Sequence, residues 1–96
     1  MSEHVHNNCG PICDLEGAQL DAAVDELQAG NNVIVTGRGN LFVMLVPCPK
    51  NEVDFHAASR GAPLSKSEQQ KALKWCKRNI PRICRHWIER HPTAKA

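Results

Sequence analysis

Val33-Ile34-Val35-Thr36, Gly37-Arg38-Gly39-Asn40 and Leu41-Phe42-Val43-Met44-Leu45-Val46 follow one another without a gap, and their reading decides the fold. Two runs of β-branched, aromatic and other apolar residues flank a short segment with two glycines, which predicts a β-hairpin. Pro47 and Pro49 predict the end of the second strand, because proline has no donor for a ladder. Beyond them, Val53-Asp54-Phe55-His56-Ala57 alternates apolar and polar residues and predicts a short third strand at an edge.

Upstream of the hairpin the period changes. Leu20, Ala23, Val24 and Leu27 recur at i, i+3, i+4 and i+7 with acidic residues on the other face, the pattern of an amphipathic helix. Asp14 is the expected cap of its first turn, and Ala29-Gly30 its end, since glycine readily takes the left-handed conformation that closes helices.

Downstream, Ser59 to Pro63 reads as a connector, and Ser65-Lys66-Ser67-Glu68 as a capping box. The helix opened there is expected to bury Ala72, Leu73, Trp75 and Cys76 and to end near Asn79. Pro81 then predicts the first turn of a further helix, where its missing donor costs nothing, with Ile83, Trp87 and Ile88 inward and His91-Pro92 as the stop. The expected architecture is α+β: a helix, an antiparallel hairpin with a third strand, then two C-terminal helices. Residues 1–96 read as a single domain, with an arm over 1–13, a helix and sheet over 14–58, and a basic helical pair over 64–92.

Composition fits this outline. The 96 residues are 42% hydrophobic and 23% charged, an ordinary balance for a globular protein. The longest apolar run, Leu41 to Cys48, is too short to span a bilayer, and Met1-Ser2-Glu3-His4 lacks the start of a signal peptide. A cytoplasmic protein is expected, with no membrane partner. Five cysteines, Cys9, Cys13, Cys48, Cys76 and Cys84, are an odd number, which favours reduced thiols over a disulfide framework.

The net charge of +2 conceals an asymmetry. Residues 1–48 hold one basic residue, Arg38, against six acidic ones, a net of −5; residues 49–96 hold eleven against four, a net of +7. Such halves either attract each other within the molecule or present two different surfaces to partners.

Three groups of residues bear on chemistry. His4, His6, Cys9 and Cys13 are four metal-ligand types within ten residues, with Gly10-Pro11 to turn the chain, and they form a candidate zinc set. Their spacing is not that of an established zinc finger or ribbon, and an uncommitted arm is the plainer reading. No nucleophile stands beside a base: Cys48 lies between two prolines, His56 has no paired carboxylate in sequence, and Gly37-Arg38-Gly39-Asn40 lacks the lysine of a phosphate loop. A non-enzymatic protein without an obligatory cofactor is therefore expected. The third group is basic. Lys66, Lys71, Lys74, Lys77, Arg78, Arg82, Arg85 and Arg90, with Trp75, His86 and Trp87 among them, suit nucleic-acid phosphates or an acidic protein groove. The bland alternatives are a solvated face for the cations and a core position for the tryptophans.

The stretch from Leu20 to Pro47 resembles the core of Phd/YefM-type antitoxins. It shares a helix ending in Ala29-Gly30, a strand from Val33 to Thr36, a turn with Arg38-Gly39, and an apolar strand from Val43 to Pro47. The resemblance implies a dimer of small α/β units that binds operator DNA, with Arg38 matching a DNA-facing residue, and a C-terminal segment that neutralises a protein toxin. In this chain the tail is basic and tryptophan-bearing, so nucleic acid is expected at the C-terminal half. Two other readings stand beside it. One is a phage or mobile-element inhibitor of the anti-CRISPR kind, docking a charged face on a large protein or nucleoprotein. The other is a small zinc-binding module. Common to the first two is a binding protein that acts through its surfaces, with a protein partner, a nucleic acid or a second copy of itself.

Overall fold

The computed structural model describes residues 12–92. Its elements are α1 (Gly17–Gln28), β1 (Val33–Thr36), β2 (Leu41–Cys48), β3 (Glu52–Ser59) and α2 (Lys66–Arg90), with a single 3₁₀ turn at Pro49–Asn51 between β2 and β3. The strands form one antiparallel sheet in the order β1-β2-β3. Both helices pack on one side of it, and the core is built from Leu20, Val24 and Leu27 of α1, Val35, Val43 and Leu45 of the sheet, and Trp75, Ile83 and Trp87 of α2.

The first helix forms where its period places it. Leu20, Ala23, Val24 and Leu27 are its buried residues, and Gly30 closes it with φ of 91°. Asp14 does not cap it. Glu16 takes that place without a side-chain bond, and Asp14 turns to α2 instead. The hairpin also forms as expected, with Val35 paired to Val43.

Strand β2 runs through Pro47 rather than stopping before it. The register explains why. The carbonyl of Thr36 accepts from the Cys13 amide, so Thr36 and Ile34 turn their backbone groups away from β2, while Val33 and Val35 face it. By the same alternation the nitrogen of Pro47 points to the β1 side, where pairing has already ended at Val33 and Leu45. Its missing donor therefore costs no ladder bond. The third strand is longer than the alternation of Val53 to Ala57 alone predicts, because pairing continues to Ser59 opposite Leu41.

The two expected C-terminal helices are one. Lys66–Arg90 is continuous through Pro81, so the fold remains α+β but with two helices in the described chain. Ala72, Trp75, Cys76, Asn79, Ile83 and Trp87 are all buried, and their spacing stays in helical phase across the proline. Pro81 itself is exposed, so the carbonyl deprived of its usual donor lies on the solvent side. The unbroken stripe also moves two side chains from their expected places: Leu73 and Ile88 point outward, 49% and 47% exposed. The capping box at the start is present, with Ser65 Oγ accepting from the Glu68 amide and Glu68 Oε1 from the Ser65 amide.

Asn79 is fully buried in mid-helix, and every part of its amide is used. Its Nδ2 donates to the Trp75 carbonyl and to Asp14 Oδ1, and its Oδ1 accepts from Arg82. Trp75 Nε1 donates to the Cys13 carbonyl at 2.8 Å, so the segment before α1 is tied to α2 at two successive residues. At the other end, Asn51 takes a left-handed φ of 57° and donates through Nδ2 to the His91 carbonyl. Asparagine tolerates that conformation better than most residues, and here its side chain fixes the end of α2 against the sheet.

Candidate binding surface

The basic residues of α2 divide by direction. At about 100° per residue, Lys71, Lys74, Arg78, Arg82 and Arg85 fall within about 80° of arc on one side of the helix. All five are exposed. Lys77, also exposed, lies about 60° beyond Lys74 on the same convex surface. Lys66 opens the helix at its far end. Arg90 turns inward to α1, and Arg38 sits on the turn between β1 and β2, on a separate element. The structure thus gathers most of the predicted cations on one face and leaves Arg38 and Arg90 outside it.

Part of the charge asymmetry is consumed within the fold. Arg78 reaches Asp14 at 2.9 Å, Arg90 reaches Asp25 at 2.8 Å, His86 lies 2.6 Å from Asp21, and His91 lies 2.8 Å from Asp25. These pairs join the acidic face of α1 and its leading segment to the flank of α2. The Arg78 guanidinium holds the Asp14 carboxyl below the usual range, with Asn79 adding to the effect. Asp25 is lowered to about 2, first by its hydrogen bonds from Arg90 and then by His91.

What remains is cationic. Among the described residues, Lys71, Lys74, Lys77 and Arg85 make no ion pair, and Arg82 bonds only to an amide oxygen. Beside them, Leu20, Pro81, Arg82, Arg85, His86 and Glu89 line a shallow groove of about 330 Å³ between α1 and α2. The arrangement offers several mobile positive ends above a rigid helix, which suits a row of phosphates or carboxylates better than a single small molecule.

The tryptophans belong to the core: Trp75 is 1% and Trp87 is 4% exposed. Trp87 Nε1 donates to Gln28 Oε1, which ties the ends of the two helices together. His56 is exposed on the sheet, opposite Met44. Cys48, Cys76 and Cys84 are free thiols. Burial pushes Cys76 up to about 11 and raises Cys84, so both are held protonated and weakly nucleophilic.

Of the candidate zinc set, His4, His6 and Cys9 lie outside the described residues. Cys13 is disulfide-bonded, which corrects the expectation of wholly reduced cysteines; its sulfur in this form is not a thiolate. Among the described residues no group of three or more His, Cys, Asp or Glu side chains converges as a metal would require. No described helix is long and apolar enough to cross a membrane.

Two features of the surface were not legible as such in the sequence. Asp14 reads as a helix cap until its partners, 64 and 65 residues away, are placed beside it. The distinction between neutralised and free arginines likewise depends on contacts across the whole chain. No protein-family model matches this chain, and neither a curated protein nor a solved structure matches it.

Proposed function

We propose that this chain is a small non-enzymatic binding and regulatory protein that meets nucleic-acid phosphates, alone or within a nucleoprotein partner, through the basic stripe of α2. The observation that carries this reading is the stripe itself: Lys71, Lys74 and Arg85 share one exposed face and stand without ion pairs among the described residues. Cations that merely balance the acidic half would be expected opposite carboxylates, as Arg78 and Arg90 are.

A regulator similar to Phd/YefM-type antitoxins would here meet DNA through the C-terminal stripe in place of the family's own surface near Arg38, and a docking inhibitor would use the stripe for a nucleoprotein. The long run of the five stripe residues over Lys71 to Arg85 favours a contact that follows a backbone. At about 1.5 Å per residue it covers roughly 20 Å, the length of several phosphate steps.

Titration of a fluorescent DNA duplex at low salt tests the reading. Wild-type protein is expected to bind, and the double variant Lys74→Glu/Arg85→Glu to bind at least about tenfold more weakly with an unchanged circular dichroism spectrum. Absence of binding at low salt, or equal binding by the variant, would overturn it.

A further inference from the structure

The sheet has two faces of different kinds. Its inner face packs under the helices, through Val35, Leu41, Val43 and Leu45. Its outer face is covered by none of the described elements. An antiparallel sheet with one solvated face normally alternates apolar-in and polar-out residues. Strand β3 obeys this rule, with Asp54 and His56 outward, but β2 does not. Phe42, Met44 and Val46 all point outward from the central strand, half-buried among their neighbours and outside the core. Ile34, paired with Met44 on the neighbouring strand, is 60% exposed. The result is an apolar strip along β2, widened by Ile34, and such a patch on the middle strand of a sheet marks an interaction surface.

The charges at the ends of the strip identify what fits it. At the turn end stand Arg38 and Arg60; the Arg60 amide donates to the Asn40 carbonyl, which keeps it in register one step beyond Ala58. At the opposite end stand Glu52, paired with Cys48, and Asp54, paired with Val46. The strip is thus basic at one end, apolar in the middle and net acidic at the other, where Glu52 and Asp54 outnumber Lys50 of the connecting turn. A surface of that kind is complementary to itself when turned end for end.

We infer that this outer face is a homodimer interface, in which the sheets of two copies stack face to face with their β2 strands antiparallel. A two-fold axis through Met44, lying parallel to the sheet and across the strands, sets Met44 against the Met44 of the second copy and Phe42 against its Val46. It also sets β3 over β3, so that Glu52 lies over the second copy's Arg60 and Arg60 over its Glu52. The other two-fold stacking, with the axis along β2, brings Arg60 towards the Arg38 turn of the second copy and is repulsive. Face-to-face sheets pack about 10 Å apart, close enough for such apolar side chains to interdigitate. Three strands of at most eight residues make a small plate, so the dimer is one that dissociates on dilution. This inference rests on the sheet and is independent of the basic stripe, which lies on the helix layer.

Sedimentation velocity on the full chain, from low to high micromolar concentration, tests it. Wild-type protein is expected to shift from monomer to dimer. Met44→Lys, which places two like charges at the axis, is expected to raise the dissociation constant by at least about tenfold while leaving the melting curve in place. Glu52→Arg alone and Arg60→Glu alone are each expected to weaken the dimer, and the double swap Glu52→Arg/Arg60→Glu to restore it. A wild-type monomer at every concentration would overturn the inference. So would a dimer indifferent to Met44→Lys, which would place the contact elsewhere. Single swaps that weaken the dimer with no recovery in the double swap would overturn the antiparallel stacking.

Discussion

On the flank of α2 that faces α1, Arg90 reaches a carboxylate at 2.8 Å; Arg78, within the exposed basic arc of the same helix, reaches one at 2.9 Å, and Asn79 spends its whole amide on neighbours. Beside Arg78 on the same arc, Lys71, Lys74 and Arg85 reach none among the described residues. The residue types are alike and the helix is the same, so the difference lies in what α1 and its leading segment present. Matched cations tie the layers together, and unmatched ones stay exposed. The sheet repeats the contrast with apolar residues: those on its inner face close the core, and those on the outer face of β2 face outward.

The strongest way to break the comparison is from the matched side. Trp75→Ala removes a side chain that is 1% exposed and also the indole donor to the Cys13 carbonyl. The expected loss is about 3–5 kcal/mol of unfolding free energy, read from denaturant melts. A cost under about 1 kcal/mol would show that α2 is not anchored by this stripe.

Next in size is Pro81→Ala. The proline lies on the exposed face of a continuous helix, so alanine supplies the missing backbone donor without disturbing the core. Stability is expected to rise by about 1 kcal/mol. A fall would indicate a break at the proline, and two helices after all.

The smallest expected effect is in acid. Asp25 is held at about 2, below its ordinary value of 3.8, chiefly by Arg90. A carboxylate lowered in the folded state contributes stability above its unfolded value, and that contribution is lost as pH falls through the folded one. Stability is therefore expected to decline between pH near 4 and pH near 2, and Asp25→Asn to show a shallower decline there. Identical acid limbs for the two proteins would mean that this exposed pair contributes nothing measurable.

Much of the fold was legible because it is written in short-range periods. Leu20 to Leu27 repeats at helical spacing, the glycines at 37 and 39 separate two apolar runs, and Ser65-Lys66-Ser67-Glu68 opens a helix that does begin there. The second half of α2 was misread because proline is the strongest local signal for a boundary, whereas the stripe through Asn79 is a longer-range one. Asn79 hid the stripe further, being polar where the period calls for an apolar residue. Its burial makes sense only with Asp14 beside it. The placing of Leu73 and Ile88 in the core followed from the same false break. The cations of the candidate surface were legible as residues, but not which of them are neutralised, because each matched pair joins positions more than sixty apart. The outward face of β2 was visible only as a continuous apolar run, since a run of that kind does not say which of its two faces is covered.

The division between matched and unmatched cations is tested most directly by the salt dependence of duplex DNA binding, measured beside denaturant stability. The comparison is between wild-type protein and the triple variant Lys71→Gln/Lys74→Gln/Arg85→Gln. The logarithm of affinity against the logarithm of salt is expected to lose about 3 from its slope in the variant, close to one per cation removed, with the denaturation midpoint unchanged. An unaltered slope, or a midpoint that falls with it, would contradict the account by showing that these three side chains serve the fold and not a partner.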